Sequence, residues 1–158
     1  MEGRFRALFL CLVLGMSMLI FAAAQRAQAV LGEPADSVDS DRRVLSALRG
    51  ATTVRDGYTI HEFTSGATAI REYVSPSGTV FAIAWNGLTH PDLTQLLGTY
   101  AGEYEQALRE TPRKHGQRAL QVQANRVIVE KWGHLRNLQG RAYAPDLMPP
   151  GVSIDEIK

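Results

Sequence analysis

The chain has 158 residues, a formal net charge of +1 and one cysteine. A charge so close to balance gives no electrostatic reason to expect nucleic acid or anionic lipid as a partner. The cysteine, Cys11, lies in an apolar N-terminal run; without that run the chain has no thiol, which excludes a disulfide, a cysteine metal ligand and a cysteine nucleophile.

Residues 1–29 read as a secretory signal peptide. Arg4 and Arg6 precede the uncharged run Ala7–Ala24, and Ala27-Gln28-Ala29 supplies an Ala-x-Ala cleavage site. Cleavage after Ala29 leaves residues 30–158 as one domain; Arg4, Arg6 and Arg26 depart with Glu2, so the formal charge moves from +1 to −1. The competing reading is an uncleaved membrane anchor, since the run is nearly long enough to span a bilayer.

Leu31-Gly32-Glu33-Pro34 is an entry segment. Asp36–Arg49 carries a weak apolar stripe, Val38, Leu45 and Leu48, and predicts a helix that Gly50 ends. Ala51–Gly57 reads as a loop and Tyr58–Thr64 as a strand, with Ser65-Gly66 as a tight connection. Ile70–Val74 and Thr79–Trp85 flank Ser75-Pro76-Ser77-Gly78 and predict a β-hairpin. Its second strand is apolar on both sides, Val80, Ala82 and Ala84 on one and Phe81, Ile83 and Trp85 on the other. That places it at the centre of a sheet. The first strand carries Arg71, Glu72 and Tyr73 and belongs nearer an edge or along a groove.

Thr89-His90-Pro91-Asp92 has the chemistry of a helix start. Leu93, Leu96, Leu97, Tyr100, Tyr104, Ala107 and Leu108 then form one stripe at helical spacing, which predicts a helix over Pro91–Glu110 lying on the hairpin. Thr111–Ala119 is a polar loop. Leu120–Ala124, Arg126–Trp132 and Leu135–Tyr143 read as strands with turns at Asn125 and Gly133-His134. Pro145–Gly151 ends regular structure, and Ser153–Lys158 is a short polar tail. The order indicates an α+β fold: a mostly antiparallel sheet built from hairpins, packed by one long amphipathic helix and a shorter N-terminal helix.

Arg71-Glu72-Tyr73-Val74-Ser75-Pro76, Gly78-Thr79-Val80-Phe81, Ala84-Trp85, Pro91-Asp92-Leu93, Leu96-Leu97-Gly98 and Tyr100 resemble an uncharacterised proteobacterial family of small exported proteins, grouped as a domain of unknown function. Gly133-His134 with Arg136, Gly140-Arg141-Ala142-Tyr143 and Leu31-Gly32-Glu33 extend the resemblance. One departure is Leu88 after Gly87, where members often have Gly-Pro. The resemblance implies export and a shared fold and carries over no activity.

Few constellations suggest chemistry. His61, His90, His115 and His134 show no paired ligand spacing, so no metal site is expected. Gly-x-Ser-x-Gly is missing, and no glycine loop suits a phosphate. Glu62 and Glu72 would be close across a hairpin, as a glycosidase pair requires, but two charges on a sheet edge are the far simpler explanation. Two features fit recognition. Arg71, Tyr73, His134, Arg136, Arg141 and Tyr143 supply arginine and aromatic side chains from two hairpins, a composition enriched in binding patches. Gly98 and Gly102, four apart on a helix, mark a face that another backbone can approach closely; the plainer explanation is a kink.

The sequence thus points to an exported, non-enzymatic binding or protein-interaction module of the bacterial envelope. No cofactor, no metal, no nucleic acid and no membrane contact after signal cleavage are expected, and an envelope protein is the expected kind of partner. The alternatives are a small hydrolase using His90 or His134 with Glu62, Glu72 or Asp92, and a membrane-anchored structural protein.

Overall fold

The computed structural model describes residues 31–34, 48–112 and 116–158, with side chains from Gly50 onward in the second stretch. Residues 1–30, with the expected signal peptide, lie outside that description. Among the described residues there are seven strands: β1 (Leu48–Arg55), β2 (Tyr58–Ser65), β3 (Thr68–Val74), β4 (Val80–Gly87), β5 (Leu120–Gln123), β6 (Ile128–His134) and β7 (Asn137–Tyr143). They form one sheet in the order β1-β2-β3-β4-β7-β6-β5, antiparallel at every pairing. β4 is the central strand, as its two-sided apolar sequence requires.

The faces of β4 differ from simple alternation. Tyr73 pairs with Ala82 but Val74 pairs with Val80, so Phe81 is an extra residue, a β-bulge. The bulge shifts the pleat by one position. Val80 joins Ile83 and Trp85 on one face, and Phe81 joins Ala82 and Ala84 on the other.

The first face packs under the helical segment. α1 (Leu93–Leu97) and α2 (Ala101–Glu110) are joined by a 3-10 turn, Gly98–Tyr100. Leu93, Leu96, Leu97, Tyr100 and Tyr104 are buried against Phe63, Ile70, Ile83, Trp85, Val122 and Val129. The segment starts at Leu93, two residues later than the sequence suggests. Asp92, not Thr89, is the N-cap, and its carboxylate accepts from the Thr94 amide at 2.9 Å. The Thr89 carbonyl accepts from the Thr68 hydroxyl at 2.9 Å instead. Glu103 on α2 pairs with Arg126 in the β5–β6 turn (Nε to Oε1 2.7 Å), and the Arg126 guanidinium lies 4.9 Å from the Tyr100 ring centre. The entry segment closes the same layer. Leu31 is fully buried, its amide donates to the Leu96 carbonyl, and Gly32 and Glu33 exchange backbone bonds with Val80.

The fold is therefore mostly β, and the two-helix α+β arrangement is corrected. Asp36–Arg49 was expected as a helix; its last two residues, Leu48 and Arg49, open β1, and the preceding part lies outside the described residues. Ala51–Gly57, expected as a loop, is the body of β1 and its turn. Thr52, Thr53 and Val54 are β-branched, and Asp56-Gly57 makes a two-residue hairpin turn between Arg55 and Tyr58. β3 is not an edge strand, because this added strand and β2 lie outside it. The second face of the sheet is covered by residues 144–158, read from sequence as an irregular segment and polar tail.

Candidate binding groove

The covering segment is a strap with two 3-10 turns, Pro145–Leu147 and Ile154–Glu156. Its second turn has a complete capping box: Ser153 Oγ accepts from the Asp155 amide, and the Ser153 amide donates to Glu156 Oε1 at 2.9 Å. This turn presents Ile157, which is fully buried against Tyr58, Tyr73, Phe81 and Tyr143. The rings of Tyr58, Tyr73 and Phe81 contact one another with centres 5.8, 6.1 and 6.2 Å apart. Leu147, Met148 and Val152 add partly buried contacts.

Polar groups of the sheet hold the backbone of the strap. Arg141 Nη1 donates to the carbonyls of Ile154 (2.7 Å) and Ile157 (3.3 Å), while its Nε donates to Glu130 at 2.6 Å. Arg71 donates to Glu62 at 2.8 Å and to the Lys158 carbonyl at 2.5 Å. The Tyr73 hydroxyl donates to that carbonyl and accepts from the Lys158 amide, both at 2.9 Å. Tyr58 donates to Glu156 at 2.9 Å. Burial raises the pKa of Tyr58, Tyr73 and Tyr143 above the ordinary value. The Ser153 amide, with help from Tyr58, lowers that of Glu156. Tyr58 and Tyr73 thus meet the strap as neutral donors.

Beside the strap lies a groove of about 390 Å3, lined by Glu130, Trp132, Gln139, Arg141, Asp155 and Lys158. Register explains the set. Glu130 pairs with Arg141 and Trp132 with Gln139, so alternate residues of β6 and β7 face the strap together. The Trp132 indole donates to Gln139 at 3.3 Å, and the Arg141 guanidinium sits 5.7 Å from its ring centre.

The structure brings Arg71, Tyr73, Arg141 and Tyr143 to one face, with the strap bound to the first three. His134 and Arg136 fall at the exposed β6–β7 turn, outside the groove lining. That turn is Leu135-Arg136, not Gly133-His134, and Arg136 takes a left-handed φ of 72°. Glu130, Trp132, Gln139 and Asp155 are groove residues that the composition reading missed; i, i+2 alternation along the last hairpin was the available signal. Gly98 has φ 48° and breaks the helix, so it shares no helical face with Gly102. Among the described residues nothing comes within 4 Å of a Cβ placed on Gly102.

The fold separates Glu62 from Glu72 and engages His90 and Asp92 in other hydrogen bonds. Glu62 pairs with Arg71 on the strap face, whereas Glu72 is fully buried on the helix face, opposite His61 in register, so the two carboxylates do not form a pair. His90 Nδ1 accepts from the Trp85 indole at 2.9 Å, and Asp92 is spent on the helix cap. Burial, and then the nearby Lys131, lower the His90 pKa below the ordinary value. Among the described residues no group of three His, Asp or Glu side chains could hold a metal ion, and no helix is long and apolar enough to cross a membrane.

Neither a curated protein nor a solved structure matches the chain. One family model does, described as a protein of unknown function (DUF2844), over residues 27–157. That stretch takes in the entry segment, all seven strands, the helices and the strap as far as the buried Ile157, and the chain belongs to the DUF2844 family.

Proposed function

We propose that the protein is an exported, non-enzymatic binding module of the bacterial envelope, and that the groove beside the strap takes a segment of glycan. The observation that carries the reading is the groove lining. Trp132 offers an aromatic surface, Glu130 and Asp155 offer acceptors, Arg141 and Lys158 offer donors, and Gln139 offers both. A sugar presents the complementary set, with hydroxyls that donate and accept beside an apolar ring face. A concave site with an aromatic wall and a few convergent polar groups is the usual form of a binding site. The Glu130–Arg141 pair and the strap fix those groups before a ligand arrives, which lowers the ordering cost of binding. Export is supported by the Arg-flanked apolar run and the Ala-x-Ala site, and the family match starts at residue 27, beyond that run.

The test uses protein purified from the envelope fraction, its N-terminus checked by mass for a start at Val30. Titration with cell-wall and surface-polysaccharide fragments is expected to give saturable binding that Trp132→Ala weakens at least tenfold, a loss of about 1.4 kcal/mol, with little change in melting temperature. Equal binding by Trp132→Ala, or no saturable binding by any fragment, overturns the groove assignment.

A further inference from the structure

Where the loop before α1 meets the segment entering β5 and the ends of β6 and β7, a second concavity of about 200 Å3 opens beside His90. We propose that it is a binding site for a small oxyanion, a carboxylate or a phosphate. Its polar side chains are those of His90, Gln117, Arg118 and Lys131, with Leu120 and Leu138 among its apolar walls and no carboxylate in the lining.

The state of His90 follows from Trp85. That tryptophan is 2% exposed, and its indole nitrogen can only donate. His90 Nδ1 receives the bond at 2.9 Å, so Nδ1 is unprotonated and the ring hydrogen sits on Nε2. Protonating Nδ1 would turn the acceptor into a donor and strand the buried indole N–H, a costly exchange. His90 therefore stays a neutral donor near neutral pH.

Neither cation of the cleft is neutralised by a carboxylate among the described residues. Among the described residues neither Arg118 nor Lys131 forms an ion pair; the Lys131 ammonium lies 5.4 Å from the centre of the Tyr104 ring. Its charge reaches His90 and helps hold that ring neutral. Two cations, a locked histidine donor and a glutamine amide thus meet around one small concavity. Charge-assisted bonds from such donors to an anion are short and about twice as strong as neutral ones. The concavity on the other side of the His90 ring lacks this character, because Asp92 is in its wall.

Trp132 borders both this concavity and the glycan groove, whereas Arg118 and Lys131 line only this one, so variants at those two residues test the oxyanion site apart from the glycan reading. The test is titration of the purified protein with inorganic phosphate or acetate, against sodium chloride at matched ionic strength, followed by 15N–1H spectra. The expected result is a saturable shift of the Trp85 indole resonance and the Gln117 side-chain amide with one or both anions. Relative affinity then tells a phosphate site from a carboxylate site. Lys131→Gln and Arg118→Gln should each weaken binding at least fivefold without moving the melting temperature by more than a few degrees. Shifts no larger than chloride produces in the unmodified protein overturn the proposal, as does unchanged affinity in the double variant.

Discussion

On one face of the sheet Ile83 and Trp85 lie beneath Leu93, Leu96 and Leu97; on the other, Phe81 and Tyr73 lie beneath a strap whose one large buried side chain is Ile157. The helix face closes by apolar packing, and α1 and α2 satisfy most of their own backbone groups. The strap has two short 3-10 turns, and its carbonyls need donors from elsewhere. Arg71, Tyr73 and Arg141 supply them. An arginine and tyrosine surface that resembles an interface by composition is, in this fold, largely an internal one. What remains open to a ligand is the margin that the strap leaves uncovered.

The sharpest way to break the comparison is to remove one buried side chain from each face. Leu97→Ala and Ile157→Ala each delete a fully buried aliphatic group, and each should cost about 3 kcal/mol in urea unfolding. If the strap is part of the cooperative core, both variants unfold in one transition, with circular dichroism and tryptophan fluorescence coincident. A strap that merely rests on the sheet would show an Ile157→Ala loss well under 1 kcal/mol, or an early separate transition.

The helix face was legible because its signal is periodic. Seven apolar positions at helical spacing can satisfy only one geometry, and β4 announces its central place by being apolar on both sides. The strap has no such period. Three prolines and a polar ending look like a chain terminus, and one buried isoleucine leaves no pattern to detect. Its capping box, Ser153 to Glu156, was the one local signature available. The bulge at Phe81 was equally hidden, since nothing in Thr79–Trp85 tells alternation from alternation with one residue inserted. The Asp56-Gly57 turn was readable, and weighing it would have made Ala51–Arg55 a strand. For groove residues Glu130 and Trp132 the only signal was i, i+2 alternation along the last hairpin, and register is what places them beside Arg141 and Gln139.

A smaller effect sharpens the electrostatic half of the contrast. Arg141 and Glu130 are both less than a quarter exposed, whereas Arg71 and Glu62 are more than a third exposed. Arg141→Met removes charge-assisted bonds to Glu130 and to two strap carbonyls, and should cost about 2 kcal/mol. Arg71→Met should cost about 0.5 kcal/mol, because solvent screens its ion pair. Equal losses from chemical denaturation would mean that burial does not set the strength of these two clamps.

The smallest expected effect separates the faces by acid. On the helix face His90 has its pKa lowered from the ordinary 6.5, by burial first and Lys131 second. The unfolded chain therefore takes up that proton more readily than the folded one. The stabilisation is complete above pH 6.5 and is lost as pH falls from there through the folded value. On the strap face Glu156 is lowered from 4.5, by the Ser153 amide first and the Tyr58 hydroxyl second. Its contribution is present above pH 4.5 and is lost as pH falls through its own depressed value. Acid should therefore reach the helix face before the strap. In a pH titration by NMR the Trp85 indole resonance should move at higher pH than the Ser153 amide, with amide exchange rising in the same order. A Ser153 amide that moves first would show that the strap, and not the His90–Trp85 contact, is the more acid-sensitive closure.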